Sequence, residues 1–496
     1  MADGTQRRAA QTGPAPPTIG LLFVAFVAVW SAYFAIAESQ ASIHNDMAEA
    51  YAWGREFRLG YNQHPPFWAW ICGAWFTLFP RAGWSFAILS SLNAAFGLLG
   101  SWKLIGRFAE GDKRIAATAL LTLTPFYTFL SYKYNANSIF LSIWPWTTYF
   151  FLRSIDEGGP RDAILFGLGM GLALLSKYYA LILGATCFLA ALQHPERARY
   201  FRSTSPYLSI AVAAALCAPH VWWLLSTGAP PVRYLGRISG RGYGAVAFYA
   251  ATAFLGALAQ NGVVIALVAL TALFAPPGES RPTGARFRVL TTLALAPALL
   301  TVLAALALRT KVSTNMMIGT FALVPLLAIE IAGGRGVARL QGLSTRLAVG
   351  LSLGALAVSP AVALGKAWFS HDPNDWEPRK ELADAATKFW RETTGAPLAY
   401  VGGSFRYDDA VAFYSPDRPH VFVRFDYFAN QWVTPEALAK QGLLSVCVKT
   451  DAECLAATAA LAGPLAKRTE MTLSHRFWGH EAKPVDFVVT AIPPSG

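Results

Sequence analysis

From Ile19 to Ala37 the chain reads IGLLFVAFVAVWSAYFAIA, without one charged residue. A run of that length is long enough to cross a bilayer as a helix. In hydrocarbon no water is present to satisfy backbone N–H and C=O groups, so a spanning segment must close its hydrogen bonds within itself. Ten more apolar runs follow, near 84–106, 115–132, 137–153, 161–175, 178–192, 205–226, 246–274, 289–308, 312–331 and 346–364. Only 14% of residues are charged, where soluble domains average about 25%. The fold class this predicts is an α-helical polytopic membrane protein of about eleven transmembrane helices. Ala35-Ile36-Ala37 resembles a signal-cleavage site. Its apolar core is longer than a secretory signal carries, so the first run is read as an uncleaved anchor.

Charge divides the chain. Residues 1–364 hold 27 Lys and Arg against 13 Asp and Glu, whereas residues 365–496 hold 14 against 16. The bases lie scattered in short loops between apolar runs, which argues for membrane anchoring and against nucleic acid as a partner. With the N-terminus inside, the inner loops carry 17 bases and the outer loops 10, the direction of the positive-inside rule. The expected organisation is a cytoplasmic leader over 1–18, containing Arg7 and Arg8. A membrane domain follows over 19–364, with a first outer loop at 38–83, and an odd number of spans puts the tail 365–496 outside. That tail reads as a small α/β domain. LAYVGG, HVFVRF, LLSVCV and DFVVTA are strand-like, and DDAVAFY, TPEALAKQG and AECLAATAALA are helical. Cys447 and Cys454 share it, either paired or as two thiols. Tyr407-Asp408-Asp409 reads as loop and cap chemistry.

The first outer loop is unusually polar for its place: HNDMAEAYAWGREFRLGYNQHPPFWAW, from His44 to Trp70. Read as an interfacial helix over 46–58, it puts Asp46, Glu49 and Trp53 on one stripe. Met47, Ala50, Tyr51 and Gly54 form a second, able to rest in the membrane interface. Pro65-Pro66 ends any helix and fixes Gln63 and His64 in a turn. Two close carboxylates suit acid–base work, although the same spacing also describes a solvated helix face. The outer cations include Lys177, Arg233, Arg237, Arg241, Arg309 and Lys311, which the charge rule leaves unexplained; an anionic lipid headgroup would account for them. His220, after Pro219, reads as a hydrogen-bonded structural histidine ahead of a ligand.

The stretch EAYAWGREFRLGYNQHPPFWAW resembles the first outer loop of bacterial members of the protein O-mannosyltransferase superfamily. These GT-C fold glycosyltransferases include the rhizobial lipid A galacturonosyltransferases and, more distantly, the lipid A aminoarabinose transferases. YNANSIFLSIWPW, LLSKYYALI, PHVWWL and FYSPDRPHVFV are similar as well, so the resemblance covers most of the chain. It implies a GT-C-like fold and an acidic residue of the first outer loop as catalytic base. Relatives usually carry Asp directly before the Glu of EAY; here that place is Ala48, which gives the role to Asp46, with Glu49 as the other choice. In the aminoarabinose branch the two residues before Pro-Pro are a Glu metal ligand and a Lys phosphate ligand. Here they are Gln63 and His64, so that metal site is not carried over. No cofactor is certain, and a divalent metal stays open.

The resemblance thus implies an integral glycosyltransferase of the bacterial inner membrane. It would move a sugar, with inversion, from a polyprenyl-phosphate donor to an envelope acceptor: lipid A or lipopolysaccharide core, another glycolipid, or a protein. His64, Lys177, Arg237, Arg309 and Lys311 are the candidates for the donor phosphate. Tyr51, Gln63, Asn135, Asn137 and His220 are the candidates for other substrate contacts. The competing class is a transporter or flippase of lipid-linked sugars, which would show paired halves and ionisable groups within spans; no repeat is visible.

Overall fold

The computed structural model describes residues 16–276, 283–370 and 372–495. Arg7, Arg8 and Arg281, with the leader up to residue 15, lie outside them. Among the described residues six helices are long and apolar enough to cross a membrane: Ile19–Ala37, Gly83–Ile105, Ser205–Ser226, Tyr243–Gln260, Ala285–Leu308 and Val337–Phe369. Shorter helices fill the bundle between them, including Phe67–Leu78, Gly111–Leu121, Phe140–Asp156, Pro160–Leu174, Ala180–Gln193 and Gly262–Leu273.

Three of the predicted runs are not continuous helices. The run 115–132 stops at Leu121, and the chain turns through Pro125 into a 3-10 turn at Phe129–Tyr132. Proline has no N–H to give and restricts the residue before it. The run 246–274 breaks at Asn261, whose amide Nδ2 donates to the Ala257 carbonyl at 2.9 Å. The run 312–331 is helical only over Val324–Ile331, after a 3-10 turn at Thr314–Met317. The last membrane helix is longer than its apolar stretch, running from Val337 to Phe369.

The tail is built around a five-stranded sheet. Its strands are β1 (Tyr400–Gly403), β2 (His420–Val423), β3 (Leu443–Val448), β4 (Lys467–Leu473) and β7 (Val485–Ile492). The short β5 (Arg476–Phe477) and β6 (His480–Glu481) form a separate hairpin. The sheet order is β2-β1-β3-β7-β4. β1 pairs parallel with β2 and β3, and β7 pairs antiparallel with β3 and β4. Helices Tyr407–Tyr414, Pro435–Gln441 and Ala452–Leu461 occupy the predicted places. Strand β4 escaped prediction because KRTEMTL alternates polar with polar. A disulfide joins Cys447 to Cys454.

The helix of the first outer loop, Asn45–Gly54, is shorter than 46–58 and is not a membrane-surface helix with a free polar side. It is buried nearly all round, including Ala48, Ala52 and Trp53. It packs between Phe67–Leu78 below and the tail helix Tyr407–Tyr414 above. Gly54 and Gly73 make the lower contact: a Cβ on Gly54 would stand 2.3 Å from the Ala69 carbonyl oxygen. Small residues let backbones approach this closely, as they do between membrane helices. From above, Arg81 donates to the Phe413 and Ser415 carbonyls at 2.6 and 3.0 Å, and the His420 and Glu56 side chains meet at 2.7 Å.

Candidate active site

His44 caps the buried helix: its Nδ1 accepts from the Asp46 N–H at 3.1 Å. Burial pushes the His44 imidazole down to about 4, which leaves that nitrogen unprotonated and able to accept. The cap presents the Asp46 carboxylate at the helix start, with its side chain 35% exposed. One oxygen accepts from Asn45 Nδ2 at 3.0 Å and the other from Asn135 Nδ2 at 2.9 Å. Asn135 is itself set by an Asx turn, its Oδ1 accepting from the N–H groups of Asn137 and Ser138 at 2.8 and 2.9 Å. Asn137 Oδ1 then accepts from Lys177 Nζ at 2.6 Å. A continuous polar chain therefore runs from Asp46 through Asn135 and Asn137 to Lys177.

Lys177 sits in the turn between Pro160–Leu174 and Ala180–Gln193. That turn is tied to the Pro-Pro segment by a bond from the Phe67 N–H to the Leu175 carbonyl at 2.8 Å. The tie brings His64 beside Lys177. Burial and the neighbouring ammonium hold His64 down to about 3, against a bond to the Gln63 backbone, so it is neutral at physiological pH. Its ring lies against Trp53 and Trp68. Burial lowers Lys177 to about 8, opposed by Asp46 and Glu49. Glu49, one turn after Asp46, is held well above the usual carboxylate range by burial and by the charges of Asp409, Asp46 and Asp408, with Lys177 pulling the other way. Glu49, His64 and Lys177 all keep part of their surface open.

The other predicted residues fall elsewhere. Tyr51 is buried between Phe76 and Phe413, edge-on to both, with the Arg81 guanidinium 5.8 Å from its ring. Gln63 is half-buried in the Pro-Pro turn. Both ring nitrogens of His220 are engaged by protein, Nε2 by the Tyr178 hydroxyl at 2.8 Å and Nδ1 by the Leu59 carbonyl at 2.7 Å. Arg309 bonds the Arg241 carbonyl at 2.8 Å and covers Tyr243, while Lys311 covers Tyr249. Arg237 is exposed on the helix Pro230–Ile238. No hydrogen bond among the described residues joins these three cations to the Asp46 chain. Among the described residues no group of three or more His, Cys, Asp or Glu is arranged to hold a metal ion.

Sequence reasoning put two acids of the tail in the helical DDAVAFY but gave them only loop and cap chemistry. Asp408 and Asp409 do more than cap that helix. They lie in the first turn of Tyr407–Tyr414, 0% and 3% exposed, and face Glu49 across the contact between the helices. One oxygen of each has no hydrogen-bond partner. Burial raises Asp409 to about 7, against the pull of Arg379, and burial and the Asp409 charge hold Asp408 above the usual carboxylate range. The available signal was an acidic pair opening an otherwise apolar helix, YDDAVAFY.

The fold is that of GT-C membrane glycosyltransferases. The ArnT structure from Cupriavidus metallidurans in the apo state superposes with a TM-score of 0.64 at 15% identity, over 97% of this chain and 99% of that one. The same protein bound to undecaprenyl phosphate superposes with a TM-score of 0.60 at 14% identity, over 96% and 98%. Residues 63–223 match the family model described as dolichyl-phosphate-mannose-protein mannosyltransferase. The lipopolysaccharide core galacturonosyltransferase RgtB of Rhizobium johnstonii is 30% identical over 216 residues, 40% of this chain and 41% of that protein. The lipid A galacturonosyltransferase RgtD of the same organism is 25% identical over 219 residues, 44% and 46%. The matched segments thus span less than half of each rhizobial relative. The resemblance read from the sequence is borne out as a likeness: residues 63–223 match that family model, parts of the rhizobial galacturonosyltransferases align, and the fold is shared with ArnT.

Proposed function

We propose that this protein is an inner-membrane glycosyltransferase. It transfers a sugar from a polyprenyl phosphate to a lipid A or lipopolysaccharide-core acceptor on the outer face of the membrane, where the tail domain also lies. The observation that carries this reading is the single polar chain from Asp46 to Lys177, built at the junction of bundle and tail. It sets a carboxylate and a cation in one partly open site, as a displacement at a phosphate-bearing carbon requires.

In the proposed reaction Asp46 takes the proton of an acceptor hydroxyl, and the oxygen attacks C1 of the sugar from the face opposite the phosphate. The C1–O bond to phosphate breaks with inversion, and its electron pair leaves on the polyprenyl phosphate. Lys177, with His64 packed beside it, meets the charge that gathers there. A preplaced cation in a site with little water is worth far more than one in solution. Glu49, kept protonated, supplies a hydrogen bond without adding a repelling charge. The outer cations Arg237, Arg309 and Lys311 guide the lipid phosphate toward the site. Galacturonic acid is the first sugar to offer, because the rhizobial relatives are galacturonosyltransferases.

The test is transfer by the purified full chain in nanodiscs, with polyprenyl phosphates bearing galacturonic acid, a hexose or a pentose, lipid A as acceptor, and mass spectrometry of the product. Wild type is expected to add one sugar and Asp46→Ala none. Undiminished transfer in both Asp46→Ala and Glu49→Ala overturns the catalytic assignment.

A further inference from the structure

The segment that delivers Asp46 has few bonds of its own to the membrane bundle. Residues 40–44 are neither helix nor strand, so their backbone groups need partners from elsewhere. The tail supplies them. The Gln40 carbonyl is bonded by His475 Nε2 at 2.9 Å, and His475 is held from its other nitrogen by Glu381 at 2.8 Å. The Ser42 hydroxyl donates to the Glu377 carbonyl at 3.2 Å. The Ile43 N–H donates to the Tyr414 hydroxyl at 2.8 Å, and the Ile43 carbonyl accepts from Arg379 Nη1 at 2.7 Å. The Asn45 N–H reaches Asn374 Oδ1 at 3.4 Å, and that oxygen also takes Arg379 Nη2 at 2.9 Å.

Arg379 is the centre of this set. It is 0% exposed, lies more than 330 residues from Ile43 in sequence, and spends its fork on Ile43, Asn374 and the Glu377 carboxylate. A buried guanidinium is costly unless every donor is used. Using it here makes the position of the 43–46 backbone depend on the tail. Asn45 in turn donates to one oxygen of Asp46. The bundle contributes Asn135 to the other oxygen.

We infer that the C-terminal domain is a positioning clamp for the catalytic carboxylate: Arg379, Asn374 and Tyr414 grip Ile43 and Asn45 and thereby set the aim of Asp46. This rests on the proposed function and assigns the tail its part in it. A group held in place by such outer partners loses rate when they are removed, typically about 10–100-fold, and a shift of about 1 Å at the reacting group has a similar effect. The three residues do not touch substrate in this reading, so donor binding is not their business.

The experiment uses the full chain in nanodiscs. Tyr414→Phe deletes the hydroxyl that takes the Ile43 N–H, Asn374→Ala deletes the amide that takes the Asn45 N–H and Arg379 Nη2, and Arg379→Lys keeps the charge but loses the fork. The expected result is a kcat lower by about tenfold or more, KM for the polyprenyl-phosphate sugar near the wild-type value, and faster amide hydrogen exchange over residues 43–46, in Tyr414→Phe at a nearly unchanged melting temperature. Arg379→Lys should retain more rate than Arg379→Gln. Unchanged kcat and unchanged exchange in both Tyr414→Phe and Asn374→Ala overturn the clamp. So does a loss of rate that appears wholly as a higher donor KM, which would make the tail a substrate-binding surface. If wild type transfers no sugar at all, the proposed function fails, while faster exchange at 43–46 in the variants still supports the tail's grip on the segment.

Discussion

Lys177→Met removes the cation beside Asp46 and Glu49 and tests the charge argument directly. With Lys177 lowered to about 8, roughly nine-tenths of the protein carries the ammonium at pH 7 and about one-tenth at pH 9. If only the charged form assists phosphate departure, kcat/KM for the donor falls about tenfold between those values. Losing the group altogether costs about 10²–10³ in kcat, the size seen when one preplaced donor is deleted from a charge-stabilising site. Lys177→Arg stays charged at both pH values, so its profile should be flat there whatever its absolute rate. The stability sign runs the other way. The folded pKa lies below the ordinary 10.5, so the folded state carries a penalty for the charge that is fully present below about pH 8 and relieved as pH rises toward 10.5. The fall from 10.5 to about 8 is worth roughly 3 kcal/mol. Lys177→Met should therefore melt no lower than wild type at pH 7 while being nearly inactive. The assay is single-turnover sugar transfer from pH 6 to 9.5, paired with thermal unfolding of the same samples. An alkaline fall that persists in Lys177→Arg, or activity of Lys177→Met within tenfold of wild type, refutes the reasoning.

Glu49→Gln replaces a carboxyl that is held protonated with a neutral isostere, so transfer at pH 7 should stay within several-fold of wild type while Asp46→Asn is nearly inactive; the reverse order would move the base to Glu49. Asp409, raised from 3.8 to about 7, favours the folded state fully below about pH 4, and that contribution is lost as pH rises through 7. Asp409→Asn should therefore show a smaller drop in melting temperature between pH 4.5 and 7.5 than wild type does, and parallel curves would count against the buried acid. Gly54→Ala forces a methyl against the Ala69 carbonyl and the Gly73 backbone; overpacking of this kind costs about 1–3 kcal/mol. It should lower both the melting temperature and transfer, whereas Gly20→Ala, which meets nothing within 4 Å, should change neither.

Much of the architecture was legible in local pattern. Apolar run length marks membrane helices because the bilayer imposes one length scale and one conformation, and alternation marked the central strands of the tail. Pattern failed where a few residues override composition: Pro125 ended a run that was apolar enough to continue, and Asn261 split another. The Pro-Pro turn and the acids of EAYAWG were visible as chemistry, since polar groups beside a membrane span demand a reason. Asn135, Asn137 and Lys177 were named singly, from their loops, without any sign that they form one chain with Asp46.

By itself the sequence determined a multi-span membrane protein with a compact α/β tail and a polar first loop, because those follow from hydrophobic length, strand alternation and local charge. Only the tertiary structure decided that the first-loop helix is buried between bundle and tail. It also decided that Asp408 and Asp409 face Glu49, and that Arg379 holds the backbone leading into Asp46. Such partners lie more than 300 residues apart, and the energies that join them are those of burial and hydrogen bonding in a shared low-dielectric space. No window along the chain contains that space; it exists only once the domains are packed.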